Sequence, residues 1–233
     1  MVIIQEDITD IVGSLVASMD NKIKGTYDVG LGKTLSCDTK WLRKGKRVIG
    51  TETYVIDSIV YNTSMTSTQI TNTTIPVDLE GTIKIPLPFY VNGTRNAANS
   101  EWTRVSSKLI EKTPLIWLNE STIEEEIQGD NTPVERESHL QIFFLDETNP
   151  TLYETDDHRH EVVLPMQRLV DEFIKVINST KKFKKLRNFT IKTFTRFGVE
   201  DETGVFENIL DANLSGVELR LTLVKYKQNC SCN

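Results

Sequence analysis

The 233-residue sequence has no long apolar run and no basic segment at its start. No stretch approaches the ~20 consecutive apolar residues that a membrane-spanning helix needs. The first twelve residues, MVIIQEDITDIV, carry acids where a secretory signal carries basic residues. We therefore expect a protein that is made and kept in the cytoplasm and that has no membrane partner.

The sequence is also poor in cysteine, with Cys37, Cys230 and Cys232 as the three present. Three cysteines cannot build a disulfide framework. The pair at 230 and 232 has the spacing of a soft-metal site, yet no other Cys or His stands near it in the sequence. A reduced, exposed tail is the favoured interpretation of this pair, and a metal site is the alternative.

Positive charge is not in excess, since 27 Lys and Arg stand against 33 Asp and Glu, for a formal net charge of −6 at pH 7. This balance argues against a dedicated nucleic-acid binder, because neutralising phosphates requires clustered cations. It is compatible with a surface that DNA slides past without sticking.

The stretch DVGLGKT at residues 28–34 ends as phosphate-binding loops do. Such a loop needs G-x-x-x-x-G-K-[ST], because backbone N–H groups wrap the phosphates from a glycine at each end. The first glycine would stand at position 27, which is Tyr27, and no helical apolar run follows Thr34. The stretch predicts an inert hairpin turn, with nucleotide binding as the alternative.

Histidine occurs three times, and two of the three lie in the cluster DDHRHE at residues 156–161. On a strand, H-x-H places both imidazoles on one side, as a metal site needs. Zinc requires further ligands, and His139 is the only other histidine. We expect no metal here, because acids and polar residues also favour the start of the helix opened by Pro165.

Two acidic groups, at residues 124–126 and 135–137, supply paired carboxylates such as acid–base catalysis uses. No nucleophile accompanies them in the sequence, so both groups are interpreted as solvated charge. We expect no catalytic residue and no cofactor, and hence a protein that is not an enzyme.

The basic run KKFKKLR at residues 181–187 interleaves five cations with Phe183 and Leu186, as a nucleic-acid patch does. The run follows a predicted helix, where cations offset the negative end of the helix dipole. Helix capping is the favoured interpretation, and contact with an acidic neighbour is the alternative.

Two segments have the apolar spacing of helices with one buried face. The first has Asp7 as its N-cap, and the second has Pro165 at its first position. The apolar positions are Ile8, Ile11, Val12, Leu15, Val16 and Met19 in the first, and Met166, Leu169, Val170, Phe173, Ile174 and Ile177 in the second.

Strands are predicted around these helices. Residues 217–223 alternate apolar and polar residues, as a strand with one wet face does, while residues 115–118 and 140–145 are apolar on both faces, as central strands are. Residues 54–61 and 189–197 are further candidates, the latter paired with the C-terminal strand. The sequence predicts an α+β fold, with a mixed or antiparallel sheet packed by two main helices.

Residues 62–108 are rich in Thr, Asn, Ser, Gly and Pro, with one short strand-like run at 81–85. The segment is too long for an ordinary connection in a compact domain. It is interpreted as an extended insertion arm or β-loop, which leaves residues 1–61 and 109–233 as the α+β core.

Several stretches carry a resemblance to a known family. The chain resembles the tail-terminator and neck-type ring proteins of tailed bacteriophages, and most closely the ring proteins of crAss-like phages of Bacteroidetes hosts. The likeness covers about residues 110–227, with a weaker match at the N-terminal helix. Its motifs are KTPLIWL (112–118), ERE (135–137), IFFLD (142–146), residues 160–177, and NLSGVEL (213–219).

This resemblance implies a structural virion protein of the neck or tail, a head–tail connector made in the host cytoplasm. Such subunits form a homomeric ring coaxial with the portal, beside other ring, portal or tail proteins. Genomic DNA passes through the ring without sequence-specific binding. The alternatives are a metal- or nucleotide-dependent enzyme and a tail module that binds the host surface.

Overall fold

A computed structural model of the chain describes residues 7–23, 25–28, 34–37, 40–49, 53–56, 58–60, 68–71, 83–105, 109–128, 135–149, 151, 158–200, 202–203 and 206–225. The helices are α1 (Ile8–Ala17), α2 (Arg95–Val105), α3 (Leu109–Lys112) and α4 (Leu164–Ser179). The strands are β1 (Lys22–Ile23), β2 (Gly25–Asp28), β3 (Thr34–Cys37), β4 (Arg47–Ile49), β5 (Thr53–Val55), β6 (Ser58–Val60), β7 (Thr68–Thr71), β8 (Ile83–Lys84), β9 (Phe89–Gly93), β10 (Leu115–Asn119), β11 (Glu124–Gln128), β12 (Glu135–Glu147), β13 (Phe189–Phe194), β14 (Gly198–Glu200), β15 (Phe206–Asn208) and β16 (Leu214–Val224).

A six-stranded sheet, in the order β13-β16-β12-β10-β9 with β11 also paired to β12, organises these elements. β9 and β10 are parallel, and the other pairs are antiparallel. Two smaller four-stranded sheets, β1-β8-β4-β5 and β2-β3-β7-β6, come from the part of the chain that precedes β9. The mixed sheet with its helices confirms the α+β prediction.

The first face of the large sheet is apolar and is covered by α1 and α4. Side chains alternate between the faces of a strand, so every second residue of β10, β12 and β16 meets these helices. Phe173 of α4 packs edge-on against Phe144 of β12, with ring centroids 5.6 Å apart. The sheet residues on this face are Ile116, Leu118, Leu140, Ile142, Phe144, Val217, Leu219, Leu221 and Leu223.

The second face is apolar over one half only. There, Trp117 stacks on Phe143 at 5.1 Å, and Phe197 meets both rings. The helix α2 covers this half with Ala98 and Trp102. The other half of the second face is polar and forms the candidate site described below.

Both predicted helices are confirmed. The Asp7 side chain accepts a hydrogen bond from the Thr9 N–H at 2.9 Å and so caps the start of α1. Pro165 lies in the first turn of α4, as predicted. A single π-helical turn, Arg159–Val163, precedes α4 and extends the helical segment beyond the predicted start.

The predicted strands at 115–118, 140–145, 189–197 and 217–223 are confirmed as β10, β12, β13 and β16, and β13 pairs with β16 as expected. The expected wet face of β16 is only partly wet, because Glu218 is buried. The prediction of one strand over 54–61 is wrong: β5 ends before Ile56, and β6 lies in another sheet. Ile56 is itself buried, and its backbone is bonded to Gly45 and Lys46.

The prediction of an insertion arm over 62–108 is wrong for its second half. Residues 89–93 form β9, an edge strand of the large sheet, and α2 follows directly. Val91 and Trp102 are buried in the second core. Of the first half, the structure describes β7, which pairs with β3 and β6; the rest, up to residue 82, lies outside the described residues.

The first and last described residues lie beside the same strand. The backbone N–H of Lys225, after β16, donates to the Arg136 carbonyl at 3.0 Å. At the other end, the hydrogen bonds from Thr9 lower the pKa of Asp7, and the charge of Arg136 lowers it further. None of the described helices is long and apolar enough to cross a bilayer.

Candidate functional site

The polar half of the second face is built on a row of hydrogen-bonded side chains across three strands. Asn119 of β10 donates to Gln141 of β12 at 2.9 Å, and Gln141 donates to the Glu218 carboxylate of β16 at 2.7 Å. The Arg220 guanidinium also donates to Glu218. Two residues further along the same two strands, on the same face, Thr222 and His139 are bonded at 2.9 Å. Side chains tied in this way form an ordered floor.

Two adjoining cavities, of about 760 and 780 Å³, lie over this floor. Both are lined by His139, Arg187, Asn188 and Thr222. We call this continuous surface the basic groove. Its charged lining residues are Lys184, Lys185, Arg187, Arg220, Glu124 and Glu137.

The cations of the groove come from the segment that joins α4 to β13. Its apolar members hold it in place: Phe183 is buried and bridges to Lys225. The backbone N–H of Leu186 donates to the Asn178 side chain at 2.8 Å. These attachments fix the segment along the end of β16 and set its cations beside the groove.

This position changes the interpretation of the run at 181–187 as a helix cap. The last turn of α4 contains no basic residue, and Lys184, Lys185 and Arg187 line the groove instead. The alternative, a surface for an acidic neighbour, is the one that the geometry favours for these three cations.

β13 borders the groove and is an edge strand of the large sheet within the described residues. Five of its six residues are exposed, including two large apolar ones, Phe189 at 40% and Ile191 at 38%. Both lie opposite core residues of β16, Leu221 and Leu219. β13 therefore carries the apolar first face of the sheet out to an open edge.

A separate two-stranded hairpin, β14 and β15, follows β13 at the other end of the strand. Val199 is its most prominent apolar residue, with 50% of its surface exposed. Glu202, Glu207 and Asp211 are exposed acids on the same segment. We call β14, β15 and the described residues 202–203 and 209–211 the acidic hairpin.

The histidine cluster does not form the predicted arrangement. Neither His158 nor His160 lies on a strand. His158 directly precedes the helical turn and is buried, whereas His160 lies in that turn and is exposed. His139 is bonded to Thr222 of β16, whereas His158 contacts Ser215 of the same strand. Thr222 and Ser215 are seven residues apart, which is about 23 Å along a strand. Residues 156 and 157 lie outside the described residues.

His158 and Ser215 form a contact that resembles half of a nucleophilic site. Nε2 of His158 is 3.0 Å from Oγ of Ser215. Burial first, and the charge of Arg43 second, lower the pKa of His158 and favour its neutral form. Ser215 is wholly buried and donates to the Thr195 carbonyl, so this hydroxyl holds β16 to the end of β13 rather than meeting a substrate.

A buried ionic cluster lies nearby and was not predicted. The Asp146 carboxylate, 1% exposed, is 2.8 Å from Nε of Arg43 and 2.7 Å from Nζ of Lys46. Lys46 also donates to the Thr113 hydroxyl at 2.5 Å, and Arg43 donates to the Glu147 carbonyl at 2.8 Å. The cluster ties residues 43–46 to the end of β12, which gives it a structural role.

The stretch at 28–34 joins two antiparallel strands, with Asp28 paired to Thr34. The residues after Lys33 form β3, a strand where a phosphate loop needs a helix. The flanking strands pair as those of the predicted hairpin do, while the turn itself, residues 29–33, lies outside the described residues, and its predicted inertness stays a prediction.

The acidic groups at 124–126 and 135–137 are on paired strands, β11 and β12, where Glu126 lies opposite Glu137. Glu125 forms an ion pair with Arg136. Across the described ranges, no three Asp, Glu, His or Cys side chains are grouped as a metal site requires. Cys230 and Cys232 fall outside those ranges.

Sequence reasoning missed the basic groove and the acidic hairpin, although one signal was present. Residues 181–196 contain seven Lys and Arg and no acid, while residues 197–217 contain five acids and no Lys or Arg. Such a sharp change of sign within one short segment indicates two surfaces of opposite charge. No protein-family model matches the chain, and no curated protein matches it.

Proposed function

We propose that the protein is a structural subunit of a phage neck or tail, which assembles with copies of itself into a ring around the DNA channel. The observation that carries the proposal is the open edge of β13, where Phe189 and Ile191 are exposed beside unpaired strand backbone in the described structure. An apolar strand edge is a surface onto which another chain adds a strand.

The rest of the fold supports a structural role. Among the described residues, His139 and His158 contact opposite ends of β16, and His158 and Ser215 are buried. Helices cover the core of the sheet on its first face and half of its second face, which leaves a packed body whose polar half-face and β13 edge are open in the described structure. Head-to-tail contacts between such bodies close into a ring when their rotation divides a full turn.

The net charge of the subunit also supports a ring that surrounds the DNA channel. A net charge of −6 gives the subunit little attraction for a phosphate backbone overall, as a passage for DNA requires. Neighbouring ring, portal or tail proteins supply the remaining contacts of the assembly in this proposal.

The test is to image the purified protein, alone and with the neighbouring neck and tail proteins of its particle, by negative-stain microscopy. Rings of uniform diameter with a central channel are the expected result. A protein that stays monomeric in both samples contradicts the proposal. Substrate turnover, or binding to host glycans without rings, would instead favour the enzyme or the host-binding module.

A further inference from the structure

We infer that the acidic hairpin of one copy docks on the β13 edge and the basic groove of the next copy. This inference rests on the proposed function and deepens it by naming the two surfaces and the partner, which is a second copy of this chain. It commits the ring to a head-to-tail contact between two different patches.

Charge complementarity is the first argument. The groove side is supplied by residues 181–192, which contain six Lys and Arg and no acid. The hairpin side, residues 198–211, contains five acids and no Lys or Arg. Both lie on a chain whose net charge is negative, so the basic segment is a local exception, and surfaces of opposite sign on two copies attract each other.

Apolar matching is the second argument. Val199 on β14 is 50% exposed, and Phe189 and Ile191 on β13 are 40% and 38% exposed. Val199 is the most exposed of the large apolar residues that the structure describes, and Phe189 and Ile191 belong to the same exposed group. Contact between them removes apolar surface from water on both copies at once.

Strand direction is the third argument. If β14 of one copy adds antiparallel to β13 of the next, its end at Glu200 lies toward the Phe189 end of β13. The hairpin turn that follows, with the exposed Glu202, then reaches the segment that carries Lys184, Lys185 and Arg187. Antiparallel addition therefore brings opposite charges together, whereas parallel addition separates them.

The two patches cannot satisfy each other within one subunit. Lys184, Lys185 and Arg187 precede β13 and the acidic hairpin follows it, so the six-residue strand, about 17 Å long, separates the cations from the acids. Each copy thus has one groove and one hairpin left for its neighbours, which is the requirement for a heterologous interface.

The test uses charge reversal on each side of the contact. The groove variant is K184E/K185E/R187E, the hairpin variant is E200K/E202K/E207K, and a third chain combines all six changes. A control variant, K44E/K84E/R159E, makes the same change in net charge at exposed cations outside the groove. Sedimentation velocity at 50 and 300 mM salt measures assembly, and circular dichroism checks that each variant is folded.

We expect wild type and control to assemble. The association constant of each three-charge variant should fall at least tenfold, and the combined chain should regain most of this loss. Assembly that no variant alters would overturn the docking surface but leave a ring subunit possible through another contact. A wild-type chain that is monomeric alone but forms rings with its neighbours overturns the self-docking and keeps the proposed function. Binding of DNA by wild type that the groove variant loses, without self-assembly, assigns the groove to nucleic acid and overturns the inference.

A disulfide experiment checks the strand direction. In a chain with Cys37, Cys230 and Cys232 replaced by Ser, the pair V199C/I191C should form covalent multimers under mild oxidation. The matched pair V199C/V105C, which uses an equally exposed residue of α2, should not. Equal cross-linking of the two pairs would contradict addition of β14 to β13.

Discussion

Asp146 is the residue on which the end of the large sheet depends. Burial by itself would raise the pKa of its carboxyl, but the charges of Arg43 and Lys46 outweigh burial and hold the pKa below the usual value. The carboxylate is thus ionised inside the protein and matched by two cations. Removing it would leave the two largely buried cations with the carboxylate of Glu147, which is more distant at 3.4–3.5 Å and partly exposed.

We expect Asp146→Asn to lower the free energy of unfolding by about 3–5 kcal/mol at pH 7, as measured by urea denaturation. The folded-state pKa lies below the unfolded value of about 3.9, so the contribution is complete above that pH and is lost as pH falls through the folded pKa. The difference between wild type and variant should therefore shrink below about pH 4. A constant difference across pH, or an equal loss in the exposed control Asp211→Asn, would contradict this.

Gly216 of β16 is a second sensitive position, because the backbone of β12 passes against it. A Cβ at Gly216 would lie 2.0 Å from the carbonyl oxygen of Phe144. We expect Gly216→Ala to cost about 3 kcal/mol of stability by forcing the two strands apart. Gly45→Ala is the matched control: its φ is +79° but nothing lies within 4 Å of the added Cβ, so a cost of about 1 kcal/mol is expected. Thermal melting of the two variants would distinguish them.

Among the elements, the helix α4 packs its buried side into the first core. Phe173 is fully buried there against Phe144. Phe173→Ala should lower the free energy of unfolding by about 3–5 kcal/mol, since it removes the ring and leaves a cavity. Chemical denaturation measures the loss, with Leu87→Ala, at a residue 41% exposed, as the control. Similar stabilities of the two variants would show that α4 is not part of the core.

The helices and strands with strong periodicity could be predicted from the sequence, and those without it could not. α1, α4, β10 and β12 repeat apolar residues at the spacing of their structure. α2 does not, because its sequence RNAANSEWTRV buries only Ala98 and Trp102. It is helical because those two side chains fill the space over Trp117 and Val91, a tertiary reason that a local pattern does not contain.

The sequence could predict some residues of the candidate site but not their arrangement. The basic run was visible, but the groove exists because α2 covers one half of the second face and leaves Gln141 and Arg220 uncovered. The cluster of Arg43 with Asp146 joins residues 103 positions apart, a separation that no local motif spans.

For the whole molecule, the assignment of β9 and α2 to the core reverses the expectation for a large deletion. An arm could be removed without unfolding the protein, but deleting residues 64–106 with a short Gly/Ser linker removes Val91, Ala98 and Trp102 from the second core. We expect this variant to show no cooperative melting transition by circular dichroism. Trp102→Ala should lose about 3–5 kcal/mol as a graded version of the same defect. A deletion variant that melts like wild type would instead support the interpretation of residues 62–108 as an arm.

Contacts of Arg136 on β12 link segments that stand far apart in the sequence. The charge of Arg136 lowers the pKa of Asp7, which precedes α1, and its carbonyl accepts the N–H of Lys225, which follows β16. β12 also pairs with β10, β11 and β16. Because contacts between distant segments form only after long loops have closed, we expect β12 to gain its full set of partners late in folding.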